Sequence, residues 1–294
     1  MKLNTTPELL VDQHALVGEG PLWDEEEQVL YWVDILSSKL FIYDPATGEN
    51  EEIDVGQHVG TVVTRASGGL MLAVPDGFAS FDLDSRELTL VATPEAHIPG
   101  NRFNDGKCDP GGRFWAGSMA YENPKDSGSL YRLDTDMSVH KMFGDVAISN
   151  GIVWSLDHTT MYYIDTLRKN VRAFDYANAT GDISNERVIV DWPDDAGLPD
   201  GMAIDSDGML WVAHYGGSCV SRWDPDGGAL LERIELPVTQ VTACAFGGPD
   251  LDTLFITSAA QELDADELAR QPHAGGLFSI KTPYRGVPSF RFGG

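Results

Sequence analysis

A short apolar run recurs six times along this chain, at residues 30–34, 70–73, 113–117, 161–165, 209–213 and 254–257. The first reads Leu30, Tyr31, Trp32, Val33, Asp34, and the others, four or five residues long, keep its apolar character. Each copy follows another short strand across a turn rich in Asp and Gly, such as residues 24–26, 109–111 and 205–208, which predicts a hairpin. Five copies precede a third strand that closes on an acidic residue, at Asp44, Asp82, Asp134, Asp175 and Asp224, and a weaker fourth strand ends the unit.

Four short strands repeated at roughly 40 to 50 residues are the spacing of propeller blades, and six such units consume nearly the whole chain. The pattern therefore predicts an all-β fold: a six-bladed β-propeller with four-stranded blades around a central tunnel, forming one domain over residues 1–294. The strand-like segment Leu9, Leu10, Val11 precedes the first full unit and is expected to complete the last blade, closing the ring. Composition agrees, since 42% hydrophobic residues supply a core and 31 Gly with 16 Pro supply many turns.

In a propeller the first strand of each blade lines the axis, so the residues that open the six inner strands share one space. Counting back 15 or 13 places from Asp34, Ala73, Gly117, Asp165, Ala213 and Thr257 reaches Glu19, Gly60, Asn104, Asn150, Asp200 and Thr242. Because 15 and 13 differ by two, the shorter turns are expected to leave the side chains on the same strand face. Five of the six positions are polar and two are carboxylates. One such residue would be an ordinary turn residue, but a ring of them is a candidate site. Two carboxylates in a narrow tunnel raise each other's pKa unless a cation stands between them. Two carboxylates and an amide suit a hard divalent ion, Ca²⁺, Mg²⁺ or Mn²⁺, while carboxylate oxygens also accept Zn²⁺ or Fe²⁺. Three protein ligands leave positions open for water or substrate, the mark of a catalytic centre.

Charge narrows the partners. With 20 basic and 46 acidic residues the formal charge is -26, which repels a phosphate backbone, so no nucleic acid is expected. No basic leader or run of 18 apolar residues occurs, which predicts a cytoplasmic protein with no membrane partner, acting as a monomer or a weak homo-oligomer. Cys108, Cys219 and Cys244 are far apart and odd in number and are read as reduced core residues. No Gly-x-Ser-x-Gly motif supports a serine nucleophile. His58 and His214, the histidines nearest the tunnel by sequence, are read as wall or turn residues.

Several phrases then resemble the regucalcin/gluconolactonase family, which includes luciferin-regenerating enzymes. They are residues 18–23 (Gly-Glu-Gly-Pro-Leu-Trp), 101–107 (Asn-Arg-Phe-Asn-Asp-Gly-Lys), 117–119, 128–132, 149–151 (Ser-Asn-Gly), 199–202 (Pro-Asp-Gly-Met) and 244–249. Their order and spacing carry the likeness along essentially the full chain. The resemblance implies a six-bladed propeller, a metal held by Glu19, Asn150 and Asp200, and sugar hydroxyls contacted by Arg102, Asn104 and Glu122. Without it, Arg102 and Glu122 would pass as surface charges. Arg102 has supporting chemistry of its own, since a polyhydroxylated lactone needs fixed donors and Arg offers a planar fork of them. Asp105 is expected to brace its loop.

The expected activity is metal-dependent opening of a sugar lactone to the aldonic acid, with Asp200 as general base. Gluconolactone and pentonolactones are the expected substrates. The alternatives are hydrolysis of another ester or an organophosphate at the same metal, and a non-enzymatic calcium-binding or interaction propeller.

Overall fold

The computed structural model describes residues 6–122 and 125–294. It contains six four-stranded antiparallel sheets arranged as a β-propeller. From inside to outside the first blade runs Gly18–Asp24, Val29–Asp34, Lys39–Asp44 and Glu49–Asp54. The inner strands of the second to fifth blades are Thr61–Thr64, Asn101–Cys108, Ser149–Trp154 and Leu198–Ile204. The sixth blade runs Val241–Gly247, Thr253–Ser258 and Leu277–Lys281, and its outermost strand is Glu8–Val11 from the other end of the chain. The expected closure is thus present: Glu8 pairs with Ser279 and Leu9 with Phe278. The inner strands touch one another in a closed ring.

The recurrent apolar phrases are the second strands, and their burial explains their composition. Leu30, Trp32 and Val33 are wholly buried, as are Trp115 and Trp211 at equivalent places. Each second strand has a sheet neighbour on both sides and a blade on both faces, so nothing selects for polarity. Outermost strands read differently: Glu49–Asp54 buries little beyond Ile53 and carries part of the acidic surface. The three cysteines are free and buried in the core, as expected.

Five of the six inner strands are irregular at one level. Register shifts lie at 19–22, 103–106, 150–152, 199–202 and 241–243, whereas Thr61–Thr64 pairs without a break. Glu19 pairs with Val33, and Asn104 and Asp200 fall inside their bulges. Bulges re-aim side chains, and here they bring residues of unequal phase to a common level.

After the last strand the chain does not stop at the sixth blade. Residues 282–294 cross the face of the propeller where the inner strands end. Ser206 N donates to Arg285 O at 2.7 Å, Gly286 N to Leu251 O at 2.7 Å, Phe292 N to Thr64 O at 2.9 Å and Gly293 N to Gly112 O at 2.9 Å. Phe292 is wholly buried between the second and third blades. No helix among the described residues is long and apolar enough to cross a membrane.

Candidate metal and lactone site

Repeat aspartates set up the entry to two inner strands. The carboxylate of Asp34 accepts from Leu16 N (2.8 Å) and Val17 N (3.0 Å), fixing the chain just before Glu19. Asp165, at the same place in the fourth blade, accepts from Ala147 N and Ile148 N at 3.1 Å each, just before Asn150. Glycines then let the strands close in. A methyl group at Gly151 would stand 2.7 Å from Met202 Cβ and 2.9 Å from Asp200 O, and one at Gly201 would stand 2.5 Å from Ala243 Cβ. The Asn-Gly and Asp-Gly pairs therefore serve close approach of neighbouring blades inside the tunnel.

Glu19, Asn150 and Asp200 are all buried, each near the start of its inner strand. The carboxyl of Asp200 lies within reach of the charge of Glu19. Burial first, then the charge of Asp105, pushes Glu19 up to about 8. Burial and the charges of Glu19 and Asp105 hold Asp200 well above the carboxylate range. Asp200 Oδ1 is buried without a hydrogen-bond partner among the described residues. Such an oxygen is costly unless something positive meets it.

The amide of Asn150 has one orientation. The Thr166 hydroxyl donates to Pro199 O at 2.9 Å, so toward Asn150 it can only accept, and Asn150 Nδ2 donates to it at 2.8 Å. Asn150 Oδ1 is thereby turned away, toward Asn104 Nδ2 at 3.2 Å. Asn104 also donates to Ser149 O (2.8 Å) and accepts from Arg102 Nη1 (2.6 Å). A continuous chain runs from the buried Arg102 through Asn104 and Asn150 to Thr166 and the strand of Asp200. Burial lowers the Arg102 guanidinium to about 10, so it remains charged at neutral pH.

No cluster of three or more His, Cys, Asp or Glu placed to hold a metal occurs among the described residues. The donor set here is different in kind: two carboxylates, one with an unpartnered oxygen, and an aimed amide oxygen. All three donors are oxygens, and they fit a hard divalent cation.

A sequence profile decides the relationship. The SMP-30/gluconolactonase/LRE-like region matches residues 17–260, which span the first blade to the second strand of the sixth. The chain belongs to this family. It is 43% identical to regucalcin of Xenopus laevis over 278 residues, covering 93% of each chain. It is 42% identical to a putative sugar lactone lactonase of Bacillus subtilis over 286 residues, covering 97% of this chain and 98% of that one. Among solved structures, a calcium-binding protein, regucalcin, from Agrobacterium tumefaciens superposes with a TM-score of 0.94 at 31% identity, covering 98% and 97%. A luciferin-regenerating enzyme gives 0.91 at 32% identity, covering 98% and 99%. A gluconolactonase of Xanthomonas campestris gives 0.76 at 25% identity, covering 94% and 89%.

Within this family member the expected substrate residues divide. Arg102 and Asn104 adjoin the carboxylates, but Glu122 is exposed in the loop after Tyr121 and makes no hydrogen bond or ion pair among the described residues. His58 reaches the same rim, where its Nδ1 lies 2.7 Å from Tyr121 Oη, and the Arg102 guanidinium lies 5.8 Å from the Tyr121 ring centre. His214 is a wall residue as expected, buried against Trp192, 2.7 Å from Ala196 O and 2.5 Å from Ser221 Oγ.

Asp105 braces its loop as expected and does more. One oxygen braces the loop by accepting from Gly106 N at 2.7 Å, but the other is buried and unpartnered, and its charge acts on Glu19 and Asp200. It is a third acid of the centre. Glu95 and Thr166 were not legible as site residues. Glu95 is a buried carboxylate that accepts from Ser118 Oγ (2.7 Å), Tyr131 Oη (3.1 Å) and Asn101 Nδ2 (3.1 Å), fixing the strand start that carries Arg102. Thr166 carried a signal of position only, as the residue following the fourth repeat phrase.

Proposed function

We propose that this protein is a metal-dependent hydrolase that opens the ring of a sugar lactone, an aldonolactone such as gluconolactone or a pentonolactone, to the aldonic acid. The observation that carries this reading is the buried Glu19 and Asp200 pair with the unpartnered Asp200 Oδ1, set beside the charged Arg102. The family supports it, since relatives bear the names gluconolactonase and sugar lactone lactonase.

Glu19, Asn150 and Asp200 would hold one divalent cation. When bound, such an ion supplies Lewis-acid polarisation of a carbonyl and a lowered pKa for water. Asp200 takes a proton from the attacking water as its oxygen adds to the lactone carbonyl carbon. The same carboxyl returns that proton to the ring oxygen as the acyl C–O bond breaks, releasing carboxylic acid and hydroxyl on one open chain. Arg102 offers donors to the substrate's hydroxyls and to the charge growing on the carbonyl oxygen. Asn104 holds Arg102 in place and is the second polar contact for the sugar. Glu122 joins them only if its loop turns inward over the substrate.

The chain would act on a small molecule in the cytoplasm, as one domain and a monomer or weak homo-oligomer. The test is a pH-indicator assay of a lactone panel, with simple esters and an organophosphate alongside, on protein stripped of metal and reloaded with Ca²⁺, Zn²⁺, Mn²⁺, Mg²⁺ or Fe²⁺ singly. Restored acid release from an aldonolactone is the expected result. Release from the esters alone, or from nothing with any ion, would overturn the reading.

A further inference from the structure

The tunnel holds a second chamber that lactone opening does not use. Asn150 stands second in its inner strand and Trp154 closes it, so at about 3.3 Å per residue the two lie roughly 13 Å apart along the axis. Around that far end is a cavity of about 280 Å³ whose walls include Trp154, Leu156, Phe246 and, from the crossing tail, Pro288 and Phe290. The tail is fixed there, with Ser289 N donating to Glu25 Oε1 at 2.8 Å.

Lys107 forms the partition between the chambers. It belongs to the third blade, yet its Nζ donates to Met202 O of the fifth blade at 2.8 Å, so the side chain spans the tunnel across the intervening fourth blade. An ammonium has three N–H donors, and one is used. Its charge is felt by Glu19 and Asp105 on one side, and it lines the cavity on the other. The walls are otherwise mainly apolar and aromatic. Ligand sites combine such walls with a few polar groups that fix orientation, and this volume stands at the lower end of their range, suited to a small ligand.

We infer that this chamber binds a small aromatic monocarboxylate, its carboxylate on the Lys107 ammonium and its ring against Trp154, Phe246 and Phe290. Charge-assisted hydrogen bonds favour the anionic head, and the aromatic walls favour a flat apolar body. The site lies on the face opposite Arg102, so its occupant does not compete with the lactone.

Isothermal titration of the full chain with 4-phenylbutyrate and with the neutral 4-phenylbutanol tests this. Saturable 1:1 binding is expected, at least about tenfold tighter for the carboxylate. K107M should erase that preference while the alcohol still binds. Leu156→Asp, at the exposed mouth, should weaken the carboxylate at least about tenfold without changing lactone hydrolysis, which separates this site from the catalytic one. Absence of saturable binding, an unchanged preference in K107M, or unchanged affinity in Leu156→Asp would overturn the inference.

Discussion

Thr166 and Asn150 are joined by a hydrogen bond of 2.8 Å whose direction is forced, because the threonine hydroxyl is already spent as a donor on Pro199 O. One hydroxyl thus turns an amide oxygen toward Asn104 and ties the fourth blade to the strand that carries Asp200. Outer partners of metal ligands commonly control affinity by 10- to 100-fold. Thr166→Val should therefore weaken Ca²⁺ or Mn²⁺ binding by about tenfold or more, and Thr166→Ser should restore it. Calorimetric titration of the stripped protein checks this. Equal affinity in Thr166→Val would mean that Asn150 is not a ligand.

Asp200 bears two burdens that one substitution separates. Asp200→Asn removes the proposed base and should lower kcat by at least about 100-fold. It also removes half of a buried acid pair, so the metal-free variant should melt no lower than the metal-free parent. Added cation should then raise its melting temperature much less than the parent's. Thermal melts with and without metal, beside the lactone assay, provide the readout.

His214 predicts an acid limb of stability. Its folded pKa is lowered to about 4, chiefly by burial, against 6.5 for the free side chain. The unfolded chain thus binds a proton that the folded one refuses as pH falls from about 6.5 to 4. The contribution is complete above 6.5 and is lost downward through that window, up to about 3 kcal/mol in all. Urea unfolding across pH 4 to 8 should show it, and His214→Gln should flatten the difference between the ends. A His214→Gln curve parallel to the parent's would contradict the assignment.

Gly151 predicts a coupling between packing and chemistry. Alanine there places a methyl group against Met202 Cβ and Asp200 O, so relief must come from moving the fifth inner strand. Overpacking of this kind costs about 1–3 kcal/mol. Activity should fall further than such a loss alone implies, because the displaced strand carries Asp200. Comparing kcat with folding midpoint for Gly151→Ala tests it; a fully active, destabilised variant would show that Asp200 tolerates the shift.

The blade count, the strand content and the closure by residues 9–11 were legible in the chain, because each blade is built from local hairpins whose apolar phrase repeats. Glu19, Asn104, Asn150 and Asp200 were legible as a set for the same reason: symmetry turns equal sequence phase into a shared place on the axis. What the phase did not contain was how they get there. Five bulges, the approach permitted by Gly151 and Gly201, and the direction of the Asn150 amide depend on neighbouring blades that are remote in sequence. Asp105 looked like a loop residue, and only burial beside two other acids makes it part of the centre. Glu95 and Thr166 act through partners up to 36 residues away, which no local pattern announces. The crossing tail, with the chamber it closes and the lysine that partitions the tunnel, is also a product of assembly. Local periodicity determined the blades and nominated the ring; packing of six blades about one axis decided which groups are buried, which are paired, and which oxygen is left without a partner.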